Sequence, residues 1–287
     1  MISFENLKAQ TREVITLKKG WKFNKGNHPE AIKNNFNDSH WEDSTVPHDW
    51  AIYGPFDKNI DKQVVAITQN GEEVATEKTG RTGALPYIGE AWYRHTFSLP
   101  NLNTDKKVII LFEGAMSQPE VFINGKKVGE WKYGYAYFYF DITDYLSSTQ
   151  ENTLAVKLSN QGESSRWYPG AGLYRNVSII IKNKESIDQW GTFITTPLIT
   201  QEIAKVNIKT KVSGKDLRIV TTILDADGKQ VNSNETAELF ENEFEQNIAV
   251  NNPNLWSLES PYLYTAVSQL YAGNDLNDEI TQRFGIR

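Results

Sequence analysis

The pair Asn124-Gly125 lies between two short runs in which apolar and polar residues alternate, and this feature constrains the fold most strongly. Residues 120–123 precede the pair and residues 126–131 follow it. The two central residues of a type I′ turn both need positive φ, which Asn and Gly adopt at little cost. The sequence therefore predicts a β-hairpin that turns at residues 124 and 125.

A period of two residues dominates the rest of the chain and predicts further strands. Residues 108–113 form an apolar run typical of a buried strand. The other predicted strands are residues 154–158, 177–181, 192–195, 204–212, 218–224 and 263–270. Helix signals are sparse: short turns are expected near residues 37–41 and at residues 142–146, where Asp141 is a suitable cap. Many short strands joined by turn residues favour an all-β fold built from sandwiches.

The length of 287 residues suits two domains, each able to bury its own core. A polar stretch at residues 183–186 follows an apolar strand and marks the expected boundary. We therefore expect a loop-rich sandwich over residues 1–184, with its longest connection at residues 53–85. An immunoglobulin-like sandwich of about seven strands should occupy residues 185–287.

The composition excludes several classes of function. A net charge of -6 with 23% charged residues does not suggest binding to nucleic acid or to an anionic membrane. The chain has no Cys, and its four His lack ligand spacing, so we expect neither a metal site nor a cofactor. Aromatic residues reach 12% and include 8 Trp; such residues fill sandwich cores or stack on sugar rings.

The sequence offers little on compartment and assembly. No apolar run is long enough to span a membrane, and residues 1–5 lack the basic and apolar regions of a signal peptide. The expected compartment is the cytoplasm by default, or the periplasm or the exterior if an export signal has been removed. A homo-oligomer is compatible with the composition, which fixes no oligomeric state.

Residues 46–50 place an imidazole and a carboxylate, His48 and Asp49, beside Trp50 on a turn fixed by Pro47. One interpretation is a wall that faces a sugar, with Asp49 binding substrate. The other is a buried corner in which Asp49 accepts backbone hydrogen bonds and a carbonyl satisfies His48. We favour the corner, because buried polar groups are normally paired.

Residues 161–175 carry the densest chemistry of the chain. Arg166 offers forked donors for hydroxyls or a carboxylate, and Trp167 and Tyr168 offer flat faces for a pyranose ring. The alternative, weighted equally, is that the aromatic rings fill the sandwich and the arginine pairs with a surface acid. Aromatic residues alternate over residues 133–140, along an expected strand. We favour a strand with one face in the core and the other in an interface. The alternative is a lectin-like groove.

A glycosidase needs two carboxyl groups that flank the scissile bond, about 5–5.5 Å apart for retention of configuration and farther apart for inversion. The chain offers acids such as Glu90, Glu113 and Glu120, but their spacing marks no catalytic pair. Nucleophile elbows, phosphate loops and dinucleotide fingerprints are also missing from the sequence. These residues by themselves indicate binding or a scaffold, and we expect no catalytic residue in this chain.

Seven stretches, taken together and in order, resemble the glycoside hydrolase family 2 enzymes, which include β-galactosidases, β-glucuronidases and β-mannosidases. They are residues 46–50, 91–97, 121–129, 140–146, 172–177, 255–264 and 284–287. The resemblance implies a jelly-roll, galactose-binding-like domain followed by an immunoglobulin-like domain. In the family a (β/α)₈ barrel with the two catalytic glutamates comes next. The implied reaction is retaining hydrolysis of a terminal β-linked sugar, foremost by a β-galactosidase.

The resemblance also implies that loops of the first domain reach over the barrel mouth and contact substrate. By position, Arg166 is the first candidate for such a contact, with Trp167 and Tyr168 beside it and Asp49 and Glu90 as further candidates. Some β-galactosidases carry an Asn and a Thr-Gly pair where this chain has residues 87–90, and an acid where it has residues 164–166. A metal or galactose contact is therefore not carried over to these positions, and Arg166 would also suit a uronate.

Three classes of function remain open from the sequence. The first is the non-catalytic front of a β-glycosidase, whose partners are a carbohydrate substrate and the enzyme's own C-terminal catalytic barrel. The second is a free-standing carbohydrate-binding protein, which would bind sugar without a barrel. The third is an interaction module that uses residues 133–140 as a protein interface. Continuation of the reading frame, sugar binding by the chain alone and concentration-dependent dimerisation would distinguish these classes in turn.

Overall fold

The computed structural model describes residues 11–78, 82–100, 102–162, 164–165 and 167–287. These residues fall into two compact units. The jelly-roll unit consists of residues 14–104 and 108–180, and the immunoglobulin-like unit of residues 11–13, 105–107 and 181–287, each within the described ranges. The expected boundary after Lys184 stays a prediction.

Twelve described strands precede residue 184 and build mainly the jelly-roll unit. They are β1 (Arg12–Thr16), β2 (Trp21–Lys25), β3 (Glu42–Ser44), β4 (Gln63–Val65), β5 (Thr76–Lys78), β6 (Gly89–Phe97), β7 (Lys106–Phe112), β8 (Glu120–Ile123), β9 (Lys126–Glu130), β10 (Phe138–Asp141), β11 (Asn152–Asn160) and β12 (Val177–Asn183). One sheet has the order β1-β12-β7-β10 and the other β3-β2-β6-β11-β8-β9, while β4 and β5 form a separate hairpin.

Alternation along β11 explains how the six-stranded sheet is buried on both faces. Leu154, Val156 and Leu158 are fully buried on one face. Ala155 points to the other face, where it packs in a cluster with Trp92, Trp41 and Ala31. Successive side chains of a strand point to opposite faces, so the segment around residues 28–41 covers the second face. Two sheets that enclose aromatic and aliphatic side chains confirm the predicted jelly-roll sandwich.

The predicted hairpin is present and closes β8 onto β9. Asn124 and Gly125 have φ of 51° and 80°, as a turn of the primed type requires. The Asn124 amide donates to Oδ1 of Asn152 at 2.7 Å and to the carbonyl of Tyr145 at 2.9 Å, and its Oδ1 accepts the N–H of Thr153 at 2.9 Å. The turn residue thus also fastens two other segments.

Eight described strands between residues 186 and 284 build the immunoglobulin-like unit, one more than expected. They are β13 (Ser186–Ile199), β14 (Ile203–Ser213), β15 (Leu217–Leu224), β16 (Gln230–Thr236), β17 (Leu239–Phe240), β18 (Glu243–Asn251), β19 (Tyr264–Ala272) and β20 (Asp275–Phe284). The additional strand, β17, has only two residues. The sheet orders are β13-β14-β18-β17 and β16-β15-β19-β20. Side chains that alternate inward from the strands of both sheets form the aliphatic core.

Several polar groups buried in the immunoglobulin-like unit are paired, although the hydroxyls of Ser186 and Thr210 are buried without a hydrogen-bond partner among the described residues. Thr221 donates to Oε1 of Gln246 at 2.6 Å and bonds Ser268 at 3.0 Å. At the other end of the unit, the fully buried carboxylate of Asp278 accepts two bonds of 2.6 Å from the guanidinium of Arg12. Buried Lys182 donates to the carbonyl of Ile187 at 2.6 Å. Arg12 on β1 therefore completes the core of the immunoglobulin-like unit.

Two local predictions were wrong, and both expected turns are present. The connection at residues 53–85 contains the hairpin of β4 and β5 and a 3₁₀ turn at Thr68–Asn70. A 3₁₀ turn at Pro29–Ile32 was not predicted. The expected turn near residues 37–41 is present, since the N–H of Trp41 donates to the carbonyl of Asp38 at 2.9 Å, and the turn at Thr143–Tyr145 also lies where expected. The aromatic strand begins only at Phe138.

Within the described residues, no helix is long and apolar enough to cross a membrane.

Candidate functional site

Asp49 joins the corner at residues 46–50 to the loop that precedes β12. Its Oδ1 accepts hydrogen bonds from the N–H of Ala51 at 3.0 Å and from the hydroxyl of Tyr168 at 2.5 Å. Its Oδ2 accepts the N–H of Ala171 at 3.1 Å. These three donors occupy most of the lone pairs with which the Asp49 carboxylate can accept hydrogen bonds. The geometry favours a hydrogen-bonded corner over an open wall.

The backbone of the corner pairs with the same loop. The N–H of His48 donates to the carbonyl of Leu173 at 2.8 Å, and that of Trp50 donates to the carbonyl of Ala171 at 2.9 Å. The side chain of His48 finds a hydroxyl rather than the expected carbonyl: its Nδ1 lies 2.7 Å from the hydroxyl of Tyr93. Two distant segments are thus held as one rigid surface.

Burial keeps this imidazole and phenol neutral. Desolvation lowers the pKa of His48 from its usual value, although the charges of Glu42 and Asp49 act in the opposite direction. Desolvation also raises the pKa of Tyr93 well above the usual value. Nδ1 of a neutral imidazole accepts in one tautomer and donates in the other, so the tautomer of His48 decides which of the two groups donates.

Gly172 allows the two segments to approach each other. A Cβ at this position would lie 2.4 Å from the carbonyl oxygen of His48 and 2.6 Å from the hydroxyl of Tyr93. The residue also has a φ of 131°, which side chains of L-residues rarely adopt. Only glycine fits here, which explains the Gly-rich stretch at residues 170–172.

The three candidates of the aromatic loop have different fates. Tyr168 is half-buried, and desolvation followed by its bond to Asp49 raises the pKa of its phenol. Trp167 is 58% exposed, and its indole N–H donates to the hydroxyl of Tyr135 at 2.9 Å. Arg166 lies outside the described residues. The structure therefore brings Tyr168 to Asp49 and leaves a face of Trp167 open to solvent.

Glu90 is not part of this cluster. It is adjacent to Ala91 and three residues before Tyr93 on β6, so its side chain points to the sheet face opposite to that of Tyr93. Its Oε1 pairs with Nζ of Lys157 at 2.8 Å, and the same ammonium lies 3.7 Å from Glu120. A shared site for Asp49 and Glu90 is therefore not formed within this unit.

The aromatic run at residues 133–140 forms an irregular, exposed surface before it becomes a strand. Tyr133 is 62% exposed and Tyr135 is 38% exposed, whereas Phe138 is buried. Two contacts of Gly134 account for the irregular backbone. A Cβ at Gly134 would lie 2.6 Å from Cε of Met116, and the carbonyl of Gly134 accepts a hydrogen bond from the hydroxyl of Tyr174 at 2.8 Å. These tertiary contacts override the alternating pattern.

Sequence reasoning missed three residues that shape this region. Tyr93 holds His48, Tyr135 holds Trp167, and the Asn160 amide donates to the carbonyl of Gly170 at 3.1 Å. Tyr93 and Tyr135 lie in stretches that had been singled out, but their partners are distant in sequence. Asn160 ends β11 directly before the aromatic loop, and this position was its only available signal.

The other acids singled out in the sequence are paired within the protein. Glu113 accepts the amide of Asn176 at 3.1 Å, and Glu120 pairs with lysines. No group of three or more His, Asp and Glu side chains among the described residues could hold a metal ion. The described part of the site offers the exposed indole of Trp167, bonded to the partly exposed phenol of Tyr135, and such rings suit contact with the apolar face of a sugar.

Comparison with known families decides the relationship. The sugar-binding domain of glycosyl hydrolases family 2 matches residues 14–183, and a second model of the same family matches residues 185–287. The chain belongs to glycosyl hydrolases family 2. The resemblance inferred from its motifs is confirmed, and so is the order of a sugar-binding domain followed by an immunoglobulin-like domain.

Curated relatives in this family carry two kinds of name. A β-galactosidase of Bacteroides ovatus is 34% identical over 286 residues, which cover 96% of this chain and 32% of the relative. A β-glucuronidase of Formosa agariphila is 28% identical over 313 residues, covering 99% of this chain and 30% of the relative. The chain thus spans about a third of the length of these family 2 proteins.

Solved family 2 structures share the fold. A β-glycosidase from Bacteroides vulgatus superposes with a TM-score of 0.83 at 30% identity, covering 96% of this chain and 34% of that one. A β-glucuronidase from Bacteroides uniformis gives a TM-score of 0.81 at 26% identity, covering 96% and 32%. Both matched proteins are longer than the chain described here.

Proposed function

We propose that this chain forms the non-catalytic sugar-binding and immunoglobulin-like domains of a retaining exo-β-glycosidase. The observation that carries the proposal is the match of both family 2 models, end to end, over a chain that spans about a third of its relatives. A catalytic barrel would supply the acid and the nucleophile of the reaction. This chain would supply a rigid edge that orients the terminal β-linked sugar.

The proposed substrate is foremost a β-galactoside, with a β-glucuronide as the second candidate. A β-galactosidase from Bacteroides ovatus is 34% identical, whereas β-glucuronidases recur among the sequence and structural relatives. Arg166 would suit a uronate carboxylate because a guanidinium can donate two parallel hydrogen bonds to it. The choice of sugar rests on groups that a barrel would add.

Within this proposal, Arg166, Trp167 and Tyr168 lie at the edge of the substrate site. Trp167 supports this role best, because its indole is exposed yet held through its N–H by Tyr135. A fixed flat ring loses little conformational freedom when a sugar stacks on it. Asp49 then acts indirectly, since it fixes the hydroxyl of Tyr168 and the backbone of Ala171.

The first test compares the chain with the enzyme encoded by its extended reading frame. The purified chain should not hydrolyse aryl β-galactosides, β-glucuronides or β-mannosides, and the extended enzyme should hydrolyse one of the three. Turnover by the chain itself, after removal of host enzymes, would contradict the proposal. A stop codon directly after Arg287 would favour a carbohydrate-binding module instead.

The second test assigns the loop. In the extended enzyme, Trp167→Ala should raise KM about tenfold with a smaller effect on kcat, because a stacking contact is lost. Tyr135→Phe removes the acceptor of the indole N–H and should give a weaker effect in the same direction. Phe193→Ala is the control, since Phe193 is 66% exposed in the immunoglobulin-like unit. Equal kinetics for Trp167→Ala, Arg166→Ala and the control would refute the role of this loop.

A further inference from the structure

A cleft of about 450 Å³ opens on the jelly-roll unit at the β8–β9 hairpin and the end of β11. Its lining includes Gln118, Glu120, Glu130, Trp131 and Lys157. None of these residues belongs to the cluster around Asp49. The volume lies within the range of about 300–1,000 Å³ that small-ligand sites occupy.

Trp131 is the outer end of a column of parallel rings. Phe112 and Phe138 stack with centroids 4.7 Å apart and an angle of 6° between their planes. Phe138 and Trp131 continue the column at 5.8 Å and 13°. The two phenylalanines are buried, whereas Trp131 is 39% exposed and lines the cleft. Phe138 therefore packs against the indole on its inner side, while the exposed part of Trp131 lines the cleft.

The backbone and neighbours of Trp131 hold this ring in place. The backbone N–H of Trp131 donates to the carbonyl of Pro119 at 3.0 Å, which ties this residue to the start of β8. The packing of Phe138 in the core prevents the indole from folding inward. A flat apolar ring held at a cleft wall is the surface on which the C–H face of a pyranose packs, because both are apolar and of similar size.

The polar groups around the ring are balanced in charge, because Lys132 of the lining joins Lys127 and Lys157 opposite three carboxylates. Lys127 bonds Glu120 and Glu130, each at 2.7 Å. Lys157 pairs with Glu90 at 2.8 Å and lies 3.7 Å from Glu120. Carboxylates paired in this way keep lone pairs that can accept hydrogen bonds from hydroxyl groups. Because positive and negative charges are equal in number, the cleft does not attract an ionic ligand. The lining suits a neutral ligand with many hydroxyl groups.

We propose that this cleft is a carbohydrate-binding subsite for neutral pyranosides, with the sugar ring stacked on the exposed part of Trp131. Hydroxyl groups of the ligand bond to Glu130, Gln118 and Lys132 at the rim. The inference stands on the ring column, the cleft and the balanced charges. It does not depend on the sugar that a catalytic barrel would select.

Isothermal titration calorimetry on the 287-residue chain tests the proposal, with lactose and cellobiose as probes. At least one probe should bind the unaltered chain. Trp131→Ala should weaken that binding about tenfold, whereas Trp131→Phe should retain most of it because a flat ring remains. Glu130→Ala leaves the ring column intact and should weaken binding about threefold through loss of an acceptor.

Phe193→Ala is the matched control, since it removes an exposed ring that does not line the cleft. Thermal unfolding of each variant shows that it is folded. Absence of binding by both probes at millimolar concentration overturns the proposal. Binding that survives both Trp131→Ala and Glu130→Ala also overturns it, and loss of that binding in Trp167→Ala would assign the sugar to the Asp49 region instead.

Discussion

The pair of Arg12 and Asp278 gives the sharpest test of how the immunoglobulin-like unit is stabilised. The Asp278 side chain is fully buried, and Arg12 is its only cationic hydrogen-bond donor among the described residues, through two bonds of 2.6 Å. Arg12→Ala would leave a buried carboxylate without that partner. Removal of one member of a buried ion pair costs about 3–5 kcal/mol.

The structure places the expected loss in the lower half of that range. Asp278 keeps hydrogen bonds from the N–H of Ile187 at 2.8 Å and of Glu279 at 3.0 Å, so its charge is partly compensated. We expect Arg12→Ala to lower the free energy of unfolding by about 3 kcal/mol. Arg12→Lys keeps a charge but loses the forked geometry, so its loss should be about half as large.

The assay is urea unfolding followed by circular dichroism, with the transition of the immunoglobulin-like unit resolved by a global fit. Arg218→Ala is the control, because the pair of Arg218 and Glu235 at 3.1 Å is partly exposed and should contribute about 1 kcal/mol or less. A loss for Arg12→Ala no greater than that of the control would refute the reasoning. It would mean that Arg12 does not complete this core.

Three further predictions concern buried groups. Burial lowers the pKa of Lys182 from 10.5 to about 8. Between these two pH values the side chain is protonated only in the unfolded chain, so the free energy of unfolding should increase with rising pH. Lys182→Met should abolish this increase, as measured by urea midpoints at several pH values. Burial also lowers the pKa values of His48 and His95 below the unfolded value of 6.5. The free energy of unfolding should therefore decrease as the pH falls below 6.5, because the unfolded chain is protonated first. Thermal unfolding of His48→Gln and His95→Gln should each show a flatter dependence of the melting temperature on pH. Gly172→Ala should cost about 3 kcal/mol or more in chemical unfolding, since it adds strain and a clash with Tyr93.

The regular strands could be predicted because their information is local. Alternation marked residues 204–212 within β14, and the Asn-Gly pair marked the β8–β9 turn. The hairpin of β4 and β5 could not be predicted, since strands of three residues show no clear period. The irregular path before Phe138 depends on Met116 and Tyr174, which are distant in sequence, so alternation was misleading there.

The candidate site was only partly visible for the same reason. The sequence indicated the segments that contain Asp49 and Tyr168, and the structure joins these side chains across 119 positions of the chain. Spacing cannot reveal such a pair, nor can it reveal that Glu90 pairs with Lys157. The stacked position of Trp131 likewise depends on Phe138 and Phe112, which alternation assigned simply to a core.

The turn at Asn124-Gly125 has a consequence for chemical ageing. Asn followed by Gly is prone to deamidation, in which the next backbone nitrogen attacks the side-chain amide. Here that amide is engaged by Asn152, Tyr145 and Thr153, so the folded protein holds it away from the attacking geometry. An aspartate formed while the chain is unfolded would direct its oxygens at two acceptors instead. Time spent unfolded should therefore damage this hairpin irreversibly, even though the native protein keeps it intact.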